Sequence, residues 1–134
     1  MLLFLMPQKT TAQQANAIIG KWLNASGEGQ IAIFNVGGKY FGKLVWLKNA
    51  NDANGKARTD KMNIRPWLRK RPVLGLLVLK DFVYAIGIYQ DGMAYDPRSG
   101  KLFASKIKLR GNELTIDAYI GMFLVHSELW KRAK

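Results

Sequence analysis

The sequence predicts an all-β domain, built either as a closed antiparallel barrel or as a sandwich. From residue 29 onward, apolar residues alternate with polar ones, and the alternating segments are short and fairly regularly spaced. Clusters of Gly, Asn, Asp and Pro separate these segments, as turns require. A chain of 134 residues has the usual size of one domain. We therefore predict a single domain of eight or nine strands with little helix.

The first two long strands are predicted to form a hairpin. Residues 30–36 and residues 39–48 both alternate, and Gly37-Gly38 between them supplies the positive φ values of a tight turn. The alternation places Trp46 and Leu47 on opposite faces, and we count Trp46 among the aromatic residues of the core or lumen.

The middle of the chain is predicted to contain a long basic loop. Residues 49–63 are almost devoid of apolar side chains and rich in turn-forming ones. Residues 64–71 are predicted to form one or two helical turns, and residues 73–79 a buried strand. Residues 82–89 form the next predicted strand, which ends at a turn over residues 90–92 because Asp-Gly is a common turn dipeptide.

The last part of the chain continues the alternation. Asp96 to Gly100 is a strong turn signal, and Gly111-Asn112 is another. Opposite charges can pair across the two strands that meet at Gly111. The strands predicted here are residues 93–95, 102–110, 113–120 and 122–131.

Composition and charge limit the chemistry. Lys and Arg number 21 against 9 Asp and Glu, so the net charge of +12 favours acidic partners such as nucleic acid, anionic lipid or polyanionic sugar. The chain has no cysteine, which excludes thiol catalysis, disulfides and cysteine zinc sites. It has one histidine and no glycine-rich phosphate loop. We therefore expect no metal, no cofactor and no specific recognition of nucleic acid.

The N-terminus is typical of an export signal. Residues 2–6 are apolar, and Thr10-Thr11-Ala12 satisfies the small-residue rule for cleavage after Ala12. The apolar run is shorter than an ordinary signal region, so we expect the true start to lie upstream. This interpretation makes residues 1–12 a signal-peptide remnant and residues 13–134 the barrel domain, located in the periplasm or outside the cell.

Four groups of residues resemble one bacterial family. They are Gly20-Lys21-Trp22 with the strand Tyr40 to Leu47; Thr59, Asp60, Asn63, Leu68, Arg69, Arg71, Pro72, Leu74 and Gly75; Gly92, Tyr95, Asp96, Pro97, Gly100 and Lys101; and Tyr119, Gly121, Trp130 and Arg132. Over residues 20–132 the chain resembles the bacterial domain of unknown function number 2147. The resemblance implies a small exported protein with a lipocalin-like antiparallel barrel of about eight strands and no assigned biochemical role. The chain lacks the cysteine pair of many members, and His126 stands where the family tends to have an arginine.

The first functional hypothesis is a non-enzymatic envelope protein that binds a small apolar or amphiphilic molecule in the barrel lumen or mouth. Aromatic side chains would contact the apolar part, and cationic ones an acidic head. The candidate residues are Trp46, Trp67, Tyr89, Tyr95 and Trp130 for the apolar part, with Arg69, Arg71 and His126 for the head.

Two alternatives use other residues. A basic surface module would hold a polyanion or an anionic membrane, because arginine binds phosphates and Trp67 lies in a cationic run. Its residues would be Arg65, Trp67, Arg69, Lys70 and Arg71 with Lys106, Lys108 and Arg110. A hydrolase-type enzyme would need Asp60, Asp96 and His126 at one concave site. The simpler interpretations make Trp22 a core residue, Asp96 a turn residue, and His126 a polar partner of Glu128, with which it shares a strand face.

Overall fold

The computed structural model describes residue 5 and residues 7–134. The described chain folds as a closed antiparallel barrel in which each strand pairs with the next and the last strand pairs with the first. The predicted barrel of about eight strands is thus confirmed. Its elements are α1 (Thr11–Asn16), β1 (Gly20–Leu23), β2 (Gly29–Val36), β3 (Lys39–Leu47), β4 (Leu77–Ala85), β5 (Ile88–Asp96), β6 (Lys101–Arg110), β7 (Glu113–Ile120) and β8 (Phe123–Arg132).

The N-terminal apolar run over residues 2–6 lies outside the described residues except for Leu5. The predicted cleavage point after Ala12 falls within α1, a helix that the sequence pattern did not indicate. Within the described part of the chain, no helix has the length and apolar character needed to cross a membrane.

The hairpin of β2 and β3 forms as predicted, with Gly37 and Gly38 at φ values of 61° and 85°. The predicted face of Trp46 is wrong. Gln30 pairs with Trp46 whereas Ile31 pairs with Leu44, so β3 holds one extra residue in a bulge. Because side chains alternate with period two, the bulge turns Trp46 outward and Leu47 towards the lumen.

The predicted turn over residues 90–92 is also wrong. The chain turns at Ile86-Gly87, where both residues have positive φ, and β5 runs through Asp91 and Gly92. Asp91 has a φ of 60° at a register shift, so its left-handed conformation makes a bulge instead of a turn. The predicted strand over residues 73–79 begins only at Leu77.

The long loop between β3 and β4 is confirmed, but its helical content is smaller than predicted. The only helical residues in this described loop are Pro66–Leu68, a single 3₁₀ turn. Two isolated bridges, between Asn51 and Ala57 and between Thr59 and Pro72, fold the loop back on itself.

One end of the barrel, which we call the closed end, is sealed by α1 and the segment after it. Trp22 is fully buried, and its indole donates to the carbonyl of Ile18 over 2.9 Å. The guanidinium of Arg132 lies 4.2 Å from the centre of the Trp22 ring and donates to the carbonyl of Ala17. The structural interpretation of Trp22 is therefore correct.

Two tyrosines hold α1 against the closed end. The hydroxyl of Tyr89 donates to the carbonyl of Ala15 over 2.6 Å, and that of Tyr40 donates to Oδ1 of Asn16 over 2.6 Å. Burial raises the pKa of Tyr89 well above its ordinary value. These contacts leave the closed end filled with aromatic and aliphatic side chains.

Candidate functional site: a cavity at the open end of the barrel

The opposite end of the barrel, the open end, contains a cavity of about 700 Å³. It is surrounded by the β1–β2 turn, the β3–β4 loop, the β5–β6 turn and the part of β8 from His126 to Trp130. Leu79 lies at its bottom, and below Leu79 the closed end is filled. The side chains that form the cavity floor are apolar: Ile31, Leu44, Val78, Leu79, Ile116 and Trp130.

One wall of the cavity is a row of alternate residues on β8. His126, Glu128 and Trp130 all line the cavity. Glu128 accepts from the Trp130 indole at Oε1 over 3.3 Å, and its Oε2 lies 3.2 Å from Nε2 of His126. The predicted polar contact between His126 and Glu128 is confirmed. The Glu128 carboxylate thus fixes the orientation of both neighbouring rings.

A bulge at Val125 determines which β8 residues face inward. Ala118 pairs with His126, but Tyr119 pairs with Leu124. Strict alternation along β8 would put Leu124 on the same face as His126. The bulge turns Leu124 to the other face instead, where more than half of its side chain is exposed.

Charged side chains surround the cavity mouth. The cations are Arg58, Lys61, Arg98 and Lys101, and the carboxylates are Glu28, Asp52, Asp96 and Glu128. The carboxylate of Asp96 accepts from the backbone N–H of Arg98 over 2.9 Å and from its guanidinium over 3.1 Å. The hydrogen bond to Asp96 raises the pKa of Arg98. The predicted turn role of Asp96 is correct.

A buried carboxylate attaches the long loop to the barrel. Asp60 is fully buried, and its Oδ2 accepts from Arg71 Nε over 2.9 Å and from Asn63 Nδ2 over 2.8 Å. Its Oδ1 accepts from the hydroxyl of Tyr95 over 2.6 Å. Burial, followed by the hydrogen bond to Asp60, raises the pKa of Tyr95 to about 12. Both oxygens of Asp60 are therefore used to hold the loop over β5.

A glycine allows the loop to lie directly against the β5–β6 turn. Gly100 has a φ of 74°, and a Cβ at this position would collide with the carbonyl of Met62. The backbone N–H of Gly100 donates to the carbonyl of Asp96 over 2.8 Å, which closes the β5–β6 turn. The loop backbone can lie against this turn only because residue 100 has no side chain.

The model of a bacterial family, described as "Uncharacterized protein conserved in bacteria (DUF2147)", matches residues 20–132. The chain belongs to the DUF2147 family. It is also similar to a solved structure described as "Protein HP1028 from the human pathogen Helicobacter pylori belongs to the lipocalin family", with a TM-score of 0.72 and 24% sequence identity. The similarity covers 87% of this chain and 83% of that chain and shows a lipocalin-like fold. No curated protein matches the chain.

The structure joins two of the segments on which the resemblance to the family was based. Asp60 and Asn63 belong to the first segment, and Tyr95 and Gly100 belong to the second. The contacts of Asp60 with Tyr95, and of the loop backbone with Gly100, join the two. In this member, both segments therefore serve to hold the loop at the edge of the cavity.

The structure brings together some of the predicted ligand-binding residues but not others. Tyr95, His126 and Trp130 line the cavity. Trp46 faces outward from the barrel wall, and Tyr89 is buried at the closed end.

The remaining predicted residues belong to the loop. Trp67 is exposed on its surface and lines no part of the cavity. Arg69 donates to the carbonyl of Asn63, and Arg71 pairs with Asp60, so both arginines support the loop. The cations at the mouth were missed because they come from two separate segments, Arg58 and Lys61 from the long loop and Arg98 and Lys101 from the β5–β6 turn. The turn signal over Asp96 to Gly100 was the one available indication.

The three residues of the enzyme hypothesis do not converge. Asp96 and His126 line the cavity, but Asp60 is buried outside it with both oxygens occupied. Among the described residues, no group of three or more His, Asp or Glu side chains could hold a metal ion.

Proposed function

We propose that this protein binds one small amphiphilic molecule in the open end of the barrel. The observation that carries the proposal is a cavity of about 700 Å³ with an apolar floor and a charged mouth. Sites for small molecules typically measure about 300–1,000 Å³ and combine apolar walls with a few polar groups. The apolar tail would lie between Leu79 and Trp130, and the polar head would lie at the mouth.

The charges at the mouth favour an acidic head. Three of the four mouth carboxylates are engaged within the protein: Asp96 by Arg98, Glu128 by His126 and Trp130, and Asp52 by backbone N–H groups of its own turn. Among the described residues, only the carboxylate of Glu28 has no such partner at the mouth. Lys61 and Lys101 line the mouth, and within the described residues neither forms an ion pair. A carboxylate or phosphate head would meet these cations without displacing an existing partner.

The cavity can be tested by filling it. Ala118 is buried and lines the cavity, whereas Ala104 is exposed on the neighbouring strand. We expect Ala118→Phe to lower affinity for dodecanoate about tenfold or more, and Ala104→Phe to leave it unchanged. If Ala118→Phe alters the circular dichroism spectrum, Ala94→Phe is the second cavity-filling variant, because Ala94 also lines the cavity.

The nature of the ligand can be tested with three probes of equal tail length. Trp130 is the one tryptophan of the described residues that lines the cavity, so a change in the tryptophan fluorescence of the protein should report binding. We expect saturable binding of dodecanoate, weaker binding of dodecylphosphocholine and the weakest binding of dodecylamine. Native mass spectrometry of the protein from its own cells should show a co-purified molecule of this class. If no probe binds saturably and no molecule co-purifies, the proposal is wrong.

We further propose that the protein works in the bacterial envelope. The support is the signal-like N-terminus, with residues 2–6 apolar and a small-residue pattern ending at Ala12. Cell fractionation followed by N-terminal sequencing tests this proposal. A processed chain in the periplasm or medium is expected, and an unprocessed chain confined to the cytoplasm would contradict it.

A further inference from the structure

Large apolar side chains are exposed around the open end of the barrel. In the β7–β8 turn and its flanks, Met122 is 95% exposed, Phe123 77% and Ile120 61%. In the long loop, Ile64 is 81% and Trp67 76% exposed. A group of exposed apolar side chains with polar surroundings is typical of an interaction surface, because leaving such residues in water is unfavourable.

The two groups lie at the same end of the barrel. In an antiparallel barrel with this strand order, the β5–β6 and β7–β8 turns emerge at one end. The loop lies against the β5–β6 turn, since the carbonyl of Met62 contacts Gly100. Arg69 donates to the carbonyl of Asn63 over 2.7 Å, which ties the 3₁₀ turn that carries Trp67 to the same place.

The long loop and the start of β6 also carry cations. Lys61, Arg65, Lys70 and Lys101 are exposed, and none of them forms an ion pair among the described residues. The whole chain carries a net charge of +12. The surface around the mouth therefore combines apolar side chains that can leave water with positive charges that attract an anionic partner.

We propose that this surface docks the protein onto an anionic lipid bilayer with the cavity mouth facing the membrane. We call it the rim surface, and it consists of Lys61, Ile64, Arg65, Trp67, Lys70, Lys101, Ile120, Met122 and Phe123. Aliphatic and aromatic side chains enter the interfacial region of a bilayer while Lys and Arg contact anionic headgroups. Trp67 suits this position because tryptophan concentrates at the membrane–water boundary.

The rim surface differs from the basic surface predicted from the sequence. Lys106 lies over the ring of Tyr119 at 5.5 Å, and Lys108 is 3.6 Å from the carboxylate of Asp117. Both lysines belong to the side of the barrel, away from the loop. A soluble polyanion would need only the cations, whereas the exposed Met122 and Phe123 favour a bilayer. This inference does not require the cavity to be occupied.

Flotation of the full chain with vesicles tests the proposal. One set of vesicles contains phosphatidylcholine alone, and the other contains phosphatidylcholine with a minority of phosphatidylglycerol. We expect binding to the anionic vesicles, much weaker binding to the neutral ones, and a loss of affinity as salt rises. Equal binding to both vesicle types, or to neither, would overturn the proposal.

Matched double variants locate the surface. Met122→Ser with Phe123→Ser removes exposed apolar groups at the rim, and Val36→Ser with Ile86→Ser removes exposed apolar groups at the closed end. We expect about a tenfold loss of vesicle affinity in the first pair and no change in the second. All four side chains are exposed, so folding is not at risk.

A second pair of variants tests the charges. Arg65→Glu with Lys70→Glu and Lys39→Glu with Lys80→Glu change the net charge equally, but only the first pair lies on the rim surface. The first should lose about tenfold or more in vesicle affinity, and clearly more than the second. Equal losses would show that net charge alone acts, which contradicts a defined surface.

Other occupants give distinguishable results. Concentration-dependent dimerisation that Met122→Ser with Phe123→Ser abolishes, without vesicle binding, would mean that a second copy covers the surface and would overturn the proposal. Binding of dextran sulfate that depends on Arg65 and Lys70 but not on Phe123, again without vesicle binding, would overturn it too. Dodecanoate binding should be intact in every rim variant, so failure here is separate from failure of the ligand proposal.

Discussion

At the closed end of the barrel, Trp22, Tyr40 and Tyr89 are buried and donate to the segment formed by α1 and the residues after it. At the open end, the strands of the same barrel surround a cavity of about 700 Å³. The long loop is held there by Asp60 and its polar partners. The first end is stabilised by close packing of large side chains. The second end keeps its shape through hydrogen bonds and the ion pair between the buried Asp60 and the partly exposed Arg71.

This difference separates stability from binding. An unfilled space deprives its lining of dispersion contacts, so the cavity contributes less to stability than the filled end. The Asp60 network offsets part of this loss without filling the cavity, because Asp60, Asn63 and Arg71 lie outside the lining. Only Tyr95 belongs to both the network and the cavity wall. Substitutions at the closed end should therefore unfold the barrel, and substitutions at the open end should change the loop and the ligand site first.

The largest expected effect is at the closed end. Trp22→Ala should lower the free energy of unfolding by about 3–5 kcal/mol, because it removes a fully buried indole and leaves Arg132 without its aromatic partner. Trp46→Ala is the matched control, since Trp46 faces outward and should cost less than about 1 kcal/mol. Urea unfolding of both variants measures the difference, and equal losses would contradict the contrast between the two positions.

Gly100 provides the corresponding test at the open end. Gly100→Ala should cost about 2–4 kcal/mol, because a Cβ there is both strained at positive φ and in collision with the Met62 carbonyl. Gly55 has nearly the same φ, 75° against 74°, and open space around it. Gly55→Ala should therefore show only the backbone cost of about 1–2 kcal/mol.

The two glycine variants also differ in what they disturb. Hydrogen exchange should show faster exchange of the loop around Met62 in Gly100→Ala, with the closed end unchanged. If exchange rises at both ends together, the loop and the closed end unfold as one unit. The proposal that the open end can be disturbed without unfolding the closed end is then wrong.

The sequence predicted the barrel because strand alternation and turn chemistry are local. Gly37-Gly38 identified its hairpin correctly, whereas the Asp-Gly pair at Asp91 was misassigned, since a bulge and a turn use the same left-handed conformation. Trp46 was placed on the wrong face for a related reason. A bulge shifts the alternation by one residue, and nothing in the side chains of β3 reveals it.

The candidate site was harder to predict because it depends on contacts between distant residues. Tyr95 and Asp60 are 35 positions apart, and only the closed barrel brings the hydroxyl to the carboxylate. His126 and Glu128 were paired correctly because they are neighbours on one strand. Arg71 was assigned to a ligand head because its partner Asp60 was not recognisable from the sequence.

Tyr95→Phe tests the polar network with a smaller change. At neutral pH it should cost about 1–2 kcal/mol, because Oδ1 of Asp60 loses its donor. The measurement is urea unfolding, compared with the original chain. A null effect would show that Arg71 and Asn63 suffice to hold Asp60.

The same variant gives a pH dependence with a defined sign. The pKa of Tyr95 is raised to about 12 in the folded protein, above the unfolded value of about 10. The stability that this hydroxyl contributes is therefore complete below about pH 10 and is lost as the pH rises towards 12. The difference in the free energy of unfolding between the original chain and Tyr95→Phe should narrow at about pH 11. Tyr89 is present in both proteins, so its contribution to the pH dependence cancels from this difference. A difference that widens would contradict the assigned role.

The smallest expected effect tests where the closed end begins. Thr10 caps α1 by accepting from the backbone N–H of Gln13, and Gln13 accepts in return from Thr10. Thr10→Ala should therefore cost at most about 1 kcal/mol. The hydrogen bonds that join α1 to the barrel start at Gln14, whose carbonyl accepts from the hydroxyl of Tyr89 over 3.4 Å, and the shorter one goes to Ala15. A chain that starts at Gln13, as the proposed processing would leave it, should therefore lose no more stability than Thr10→Ala does. Unfolding of that shortened chain at ordinary temperature would show that residues before Gln13 belong to the domain and would move its boundary towards the N-terminus.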